Sequence, residues 1–291
     1  MSFVRMQRTI CRPVTVQGTG YWSGRLVNVE FRPAPADSGI TFVRDDLGPQ
    51  TRIPARAEHR IDVPRRTNLN FQGAQVDMVE HILATLAGLE IDNCDVGVDQ
   101  IEMPGCDGSA REFVEAIDSV GSRELDNEVR QLVVTETIRH TFGESWIEAR
   151  PSGSGEYTVQ FELEYPDDLV IGLQMAQAHI TPEEFRREIA PCRTFVLQRE
   201  AEELVRQGLG THVTPHDLLV FGDSGPIGNE LRFANECARH KLLDVVGDMA
   251  LTGCEIVGQI VAHRSGHRLH AELAGDLVSR FRESASLSAS A

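Results

Sequence analysis

The 291-residue sequence has no C-x-x-C pair: its six cysteines, Cys11, Cys94, Cys106, Cys192, Cys237 and Cys254, are scattered, which argues against a thiolate zinc finger. No stretch approaches the roughly 20 apolar residues that span a bilayer. The sequence also lacks a basic segment followed by an apolar one at its start, so neither a membrane span nor a secretory leader is expected. Basic side chains are in deficit, with 28 Lys and Arg against 44 Asp and Glu and a formal charge of -16. Nucleic-acid recognition needs a clustered basic surface, so no nucleic-acid partner is expected. Any anionic substrate must meet a local basic patch. The expected setting is a reducing cytoplasm in which the cysteines stay thiols, and the expected state is a monomer.

What is present, 41% hydrophobic and 25% charged side chains, suits one large globular domain or two small ones. From Thr9 to Arg44 apolar and polar residues alternate between Gly and Pro breaks, which predicts short antiparallel strands. Residues 52–67, rich in Arg and Pro, are read as loops between strands. Val79, Ile82, Leu83 and Leu86 form a helical stripe with Asp77 as its N-cap and Gly88 as its stop. A strand over Cys94–Val98, a turn at 107–109 and a helix carrying Phe113, Val114 and Ile117 follow. The polar stretch 122–127 places a domain boundary near residue 126. After it come strands such as 131–134 and 157–161, a helix over about 232–251, a strand through Val261 and a closing helix to Phe281. The junctions 86–91 and 251–256 share a helix end, a Gly, a Glu and a strand start. Each precedes a Gly turn and another helix, which points to a duplicated unit. The expected fold is α+β: two similar sheet-plus-two-helices domains, 1–126 and 127–283, packed face to face with the site between them. The tail 284–291 is expected to be disordered.

On the helix near residue 240, His240, Asp244 and Asp248 recur one turn apart on one face, while Leu242, Leu243, Val246 and Met249 supply the core on the opposite arc. A His and a carboxylate one turn apart can reach one ion, although a solvated face with an ordinary His-to-Asp pair has the same spacing. Glu80 and His81 interrupt the other apolar helix, where a buried face should hold neither. Two His and one carboxylate with an open position is the make-up of a catalytic zinc site. A neighbouring Glu80 could then take the proton of the attacking water. His267, after the turn at 264–266, reads as a general acid paired with Asp248. Thr194 could donate its hydroxyl to a developing oxyanion, and Lys241 and Arg264 are candidate phosphate anchors.

These residues lie in segments that resemble one family: Phe31–Ala36, Val79–Asn93, Asp107–Ala110, Arg193–Phe195, Leu231–Phe233, Arg239–Asp244 with Gly247 and Asp248, and Ser265–His267. In this order the segments resemble the UDP-3-O-acyl-N-acetylglucosamine deacetylase family, whose members perform the committed step of lipid A synthesis. The resemblance implies a metal, zinc with ferrous iron as an alternative, on His81, His240 and Asp244, with Glu80 as base. It implies His267 held by Asp248 to act on the leaving amine, and Thr194 on the oxyanion. Lys241, Arg264 and Phe195 would contact the UDP-linked acylated sugar. An insert near 196–216, including the amphipathic stretch 199–208, would form an apolar acyl passage. Three segments depart from the family pattern: Trp22 stands where it has a His, 210–216 replaces a Gly-rich run, and His270 and Glu272 follow the Ser-Gly-His turn. They motivate a second reading, a divergent paralogue acting on another acylated amino sugar. A third is a non-catalytic binding protein on the same fold.

Overall fold

A computed structural model describes residues 4–166 and 170–289, the last of them, from 283, as backbone only. Walking the chain, β1 (Met6–Ile10), β2 (Val14–Thr19), β3 (Leu26–Pro33), β4 (Ile40–Arg44) and β5 (Arg52–Pro54) precede a small antiparallel trio, β6 (Arg60–Ile61), β7 (Asn68–Phe71) and β8 (Ala74–Val76). Then come α1 (Glu80–Gly88), β9 (Cys94–Val98), α2 (Arg111–Val120) and β10 (Ser122–Glu128). The later part holds β11 (Gln131–Val133), β12 (Ile138–Phe142), β13 (Ser145–Arg150), β14 (Tyr157–Glu164) and β15 (Leu173–His179). A short turn of helix, α3 (Pro182–Glu184), leads to β16 (Phe195–Leu197), α4 (Gln198–Arg206), β17 (Leu219–Gly222) and β18 (Gly225–Pro226). The chain closes with α5 (Glu236–Met249), β19 (Glu255–His263) and α6 (His267–Ala289). The fold is mixed α/β.

Two sheets share one plan. In the first the order is β2-β3-β9-β4-β5, and in the second β12-β13-β19-β14-β15. The middle strand of each, β9 or β19, runs antiparallel to one neighbour and parallel to the other. Each is preceded by one helix, α1 or α5, and followed by another, α2 or α6. The alternating burial along β3 in the first sheet and along β14 and β19 in the second gives each an inner apolar face and a more polar outer one. Phe31, Phe42, Phe113, Phe161 and Phe185 are among the side chains that fill the interior. The core is continuous across both sheets and helices α1 and α5.

Helix α1 lies directly on α5, and the approach is close because Gly247 has no side chain: a Cβ there would sit 2.1 Å from the Glu80 carbonyl oxygen. Several expectations need correction. Asp77 is not the N-cap of α1. Instead it forms a bridge with Glu102, and Met78 follows in the left-handed region at φ 61, so the helix starts at Glu80 with Val79 as its cap. The stretch 52–67 is not simply loop, since it contributes β5 and β6. Residues 122–127, where the domain boundary is expected, lie in β10, which pairs with β1 and ties the polar segment back to the N-terminus. Helix α5 starts at Glu236 rather than 232, because the fully buried Glu236 carboxylate accepts the Arg193 guanidinium and the Arg232 N–H and anchors the first turn. Helical backbone continues to Ala289, so residues 284–289 extend α6 where an unstructured tail was expected. Continuing an existing helix adds one backbone hydrogen bond per residue without a new nucleation step. Positions 290 and 291 of that tail lie outside the described residues. The insert resolves into β16, α4 and a three-stranded sheet with β17 and β18, and the amphipathic 199–208 stretch coincides with α4, which has no buried residue.

Candidate active site

The first turn of α1 carries Glu80 and His81 inward, 4% and 8% exposed among apolar neighbours. Facing them, α5 presents His240 and Asp244, one turn apart. His240 Nε2 is 3.4 Å and His81 Nε2 3.8 Å from the same atom, Asp244 Oδ1. The ligand-capable atoms of the three all lie within 4.8 Å of one another. His240 donates its Nδ1–H to the Cys192 carbonyl at 3.0 Å, which fixes the tautomer and leaves Nε2 with its lone pair toward Asp244. Burial, reinforced by the neighbouring His240, lowers the His81 pKa to about 3, and burial likewise lowers that of His240. Both rings are therefore neutral, the state in which imidazole ligates a metal. Burial works against an ionised Asp244, but the Lys241 ammonium and the nearby His267 outweigh it and hold the carboxyl well below its ordinary range. The two oxygens divide the work, Oδ1 facing the imidazoles and Oδ2 accepting the Lys241 ammonium at 2.9 Å. The donor set fits a divalent cation: two neutral imidazoles and one ionised carboxylate, all buried, with room for a further ligand.

Beside this trio, His267 donates Nδ1–H to Asp248 Oδ2 at 2.7 Å. That leaves its Nε2 as the free nitrogen, 4.0 Å from Asp244 Oδ2. Burial alone would depress the His267 pKa, yet Asp248 raises it to about 9, so this imidazole is cationic at neutral pH. Glu80 is the counterpart. Burial, with Asp244 and Asp248 nearby, raises its pKa to about 7. One Glu80 oxygen accepts the Thr67 N–H at 3.0 Å and the other has no protein partner among the described residues. A buried carboxyl group and a buried imidazole thus flank the trio, both with raised pKa values, Glu80 through burial and His267 through its Asp248 pair.

Of the other sequence-predicted residues, Lys241 joins the cluster through Asp244 and faces the Phe195 ring at 5.7 Å. It is the sole lysine of the chain, every other Lys or Arg being Arg. Phe195 also meets Tyr165 and Phe221 edge to face. Thr194 sits at the start of β16, its backbone bonded to Gly108 and Leu219, two residues beyond the carbonyl that fixes His240. Among the described residues its hydroxyl forms no hydrogen bond to the trio. Arg264 is not drawn into the cluster: its guanidinium is engaged by Glu144 at 2.9 Å and Glu164 at 3.6 Å.

Two residues have no role assigned from the sequence. Thr67 donates its hydroxyl to Asp248 Oδ1 at 2.5 Å while its N–H holds Glu80, so one loop residue orders both the acid's partner and the base. His270, fully buried, donates Nδ1–H to the same Asp248 Oδ2 at 2.7 Å, and its Nε2 accepts the Ser265 hydroxyl at 2.8 Å. The available signal was the i, i+3 spacing of His267 and His270 on one helix face. Thr67 had none, since its partner lies 181 residues away.

A mixed α/β fold that buries two imidazoles and a carboxylate around one point, with a glutamate and a third imidazole beside them, has the side-chain set of a metal-dependent hydrolase. The comparison with known families is specific: residues 7–279 match the LpxC model, UDP-3-O-acyl N-acetylglycosamine deacetylase, and the chain belongs to that family. It is similar to the UDP-3-O-acyl-N-acetylglucosamine deacetylase of Anaeromyxobacter dehalogenans, 38% identical over 92% of this chain and 85% of the relative. The enzyme of that name from Brucella ovis is 36% identical over 94% of this chain and 95% of its own length. No helix among the described residues is long and apolar enough to cross a membrane.

Proposed function

We propose that the protein hydrolyses the acetamide of UDP-3-O-acyl-N-acetylglucosamine, releasing acetate and a free amine, in the committed step of lipid A synthesis. The observation that carries this is the convergence of His81, His240 and Asp244 with Glu80 and His267 on either side of them, in a chain of the deacetylase family. His81, His240 and Asp244 would hold zinc, with ferrous iron suiting the same donors. When bound, the cation supplies Lewis-acid polarisation of the acetamide carbonyl and a lowered pKa for water. Glu80, with one oxygen free, takes the proton of the attacking water. His267 holds a proton at Nε2 through its Asp248 pair and gives it to the leaving nitrogen. Thr194, near the His240 support, turns its hydroxyl to the oxyanion. Lys241 and Phe195 contact the substrate, and Arg264 would exchange Glu144 for the diphosphate. The two like-ordered sheets with their helices form two domains packed face to face across this site, α4 and the β16-β17-β18 sheet border an acyl passage, and the enzyme works in the cytoplasm as a monomer.

The test is a metal-dependent deacetylation assay. Acetate release from the UDP-linked 3-O-acyl sugar should require added zinc or iron and should fall sharply when the 3-O-acyl chain is absent. Turnover indifferent to that chain would favour the divergent-paralogue reading, for which Trp22, stacked under Arg66 at 4.5 Å, is the specific motive.

A further inference from the structure

Helices α1 and α5 wall a second space. Their catalytic residues occupy one side, while Leu83, Leu86, Val246 and Met249 face a cavity of about 660 Å3 on the other. On α5 this follows from helical geometry, because Val246 and Met249 fall on the arc opposite His240 and Asp244. The volume is in the range of ordinary small-molecule sites. Both sheets contribute to its walls, from β4 in the first to β14 and β19 in the second.

The charges on these walls are unbalanced in one place. Asp92 and Glu255 are taken by Arg5, Glu90 by Arg8, Glu156 by His179 and Asp37 by Gln7. Arg56 and Arg130, which also line the cavity, have no ion pair and no side-chain hydrogen bond among the described residues. The nearby Glu58 is engaged by Arg282. The Arg56 guanidinium lies against the backbone of Gly39 and Gly253, where a Cβ at 253 would come within 1.9 Å of Nη1. Two glycines therefore make the space it occupies. Burial and the neighbouring Arg130 lower the Arg56 pKa, the mark of a cation without its counter-charge. Tyr157, on the same wall, has its hydroxyl buried without a partner. In a chain with 44 acids to 28 bases, two adjacent arginines left unpaired on a cavity wall await an anion from outside.

We propose that this cavity is a second, non-catalytic binding site that takes a small organic oxyanion, a carboxylate or a phosphate, on Arg56 and Arg130. The guanidinium of Arg56 offers its planar fork, and Arg130 adds charge from the rim. Because both sheets and both catalytic helices build the cavity, an occupant would bear on how α1 and α5 sit together. The inference does not depend on which amide the catalytic site cleaves.

The experiment is an equilibrium titration of the full-length, zinc-loaded protein with inorganic phosphate and, separately, with hexanoate, read by calorimetry. Wild type is compared with Arg56→Met, which keeps the volume and removes the charge, and with Arg130→Met on the exposed rim. Saturable binding of either probe to wild type, weakened about tenfold or more in Arg56→Met and less in Arg130→Met, with the turnover of unliganded enzyme unchanged, is the expected result. The probe that binds identifies the head group. If Arg56→Met does not fold, a severalfold weakening in Arg130→Met still supports the site. No saturable binding to wild type, or binding equal in wild type and variants as at the catalytic cleft, overturns it.

Discussion

With one Glu80 oxygen committed to the Thr67 N–H and the other free, Glu80→Gln retains the shape of the side chain and loses its basicity. We expect kcat to fall by about 10²- to 10⁴-fold while metal content, measured on the purified variant, stays at the wild-type level. Unchanged turnover would remove Glu80 as the base. His267 supplies the opposite limb of the pH profile. Its raised pKa, about 9, comes from Asp248, and the proposed acid role needs the protonated ring, so the rate should fall as pH rises through that value. A cation in the trio repels the imidazolium and brings this limb somewhat below 9. Asp248→Asn removes the stabilising charge, and the alkaline limb of kcat/KM should move toward acid pH. A variant that lost rate with the limb unmoved would leave Asp248 a merely structural role.

At the scale of elements, the close contact of α1 and α5 rests on Gly247. Alanine is ordinarily better than glycine inside a helix by up to about 1 kcal/mol, but here the added carbon meets a backbone oxygen that cannot rotate away. Gly247→Ala should cost about 1–3 kcal/mol of stability in urea unfolding. Gly275→Ala, on α6 with nothing within 4 Å of the new Cβ, should be neutral or stabilising. Equal effects at the two sites would show that the helix contact is not tight. The same elements show what the sequence disclosed. The polar pair on an apolar helix and the one-turn spacing of His240 and Asp244 are local signals, and both survived folding. The start of α1 was misplaced because Asp77, a good cap by type, is drawn into a bridge with Glu102. The shared carboxylate of Asp248 was not legible in full, since His270 was noticed only as a departure and Thr67 is brought there by tertiary contact. For Arg264 the sequence offers a candidate phosphate anchor but no sign of its partners, Glu144 in the β12–β13 turn and Glu164 at the end of β14, both distant in sequence.

For the whole molecule, the core runs through both sheets without passing through the polar cluster, so the fold does not lean on an ion. Removing metal with a chelator should abolish deacetylation and leave the far-ultraviolet circular dichroism unchanged. The melting temperature should drop, because a ligand held only by the native state stabilises by mass action. Activity should return with added zinc. Collapse of the circular dichroism on chelation would instead make the ion structural. The long reach between Thr67 and Asp248, 181 positions apart, bears on how the protein is made. An emerging chain presents Glu80 and His81 long before α5 leaves the ribosome, and a single imidazole grips an ion weakly. On the proposed ligand assignment, cation binding follows the emergence of α5, and a product cut short ahead of residue 240 is expected to stay inert however much zinc or iron surrounds it.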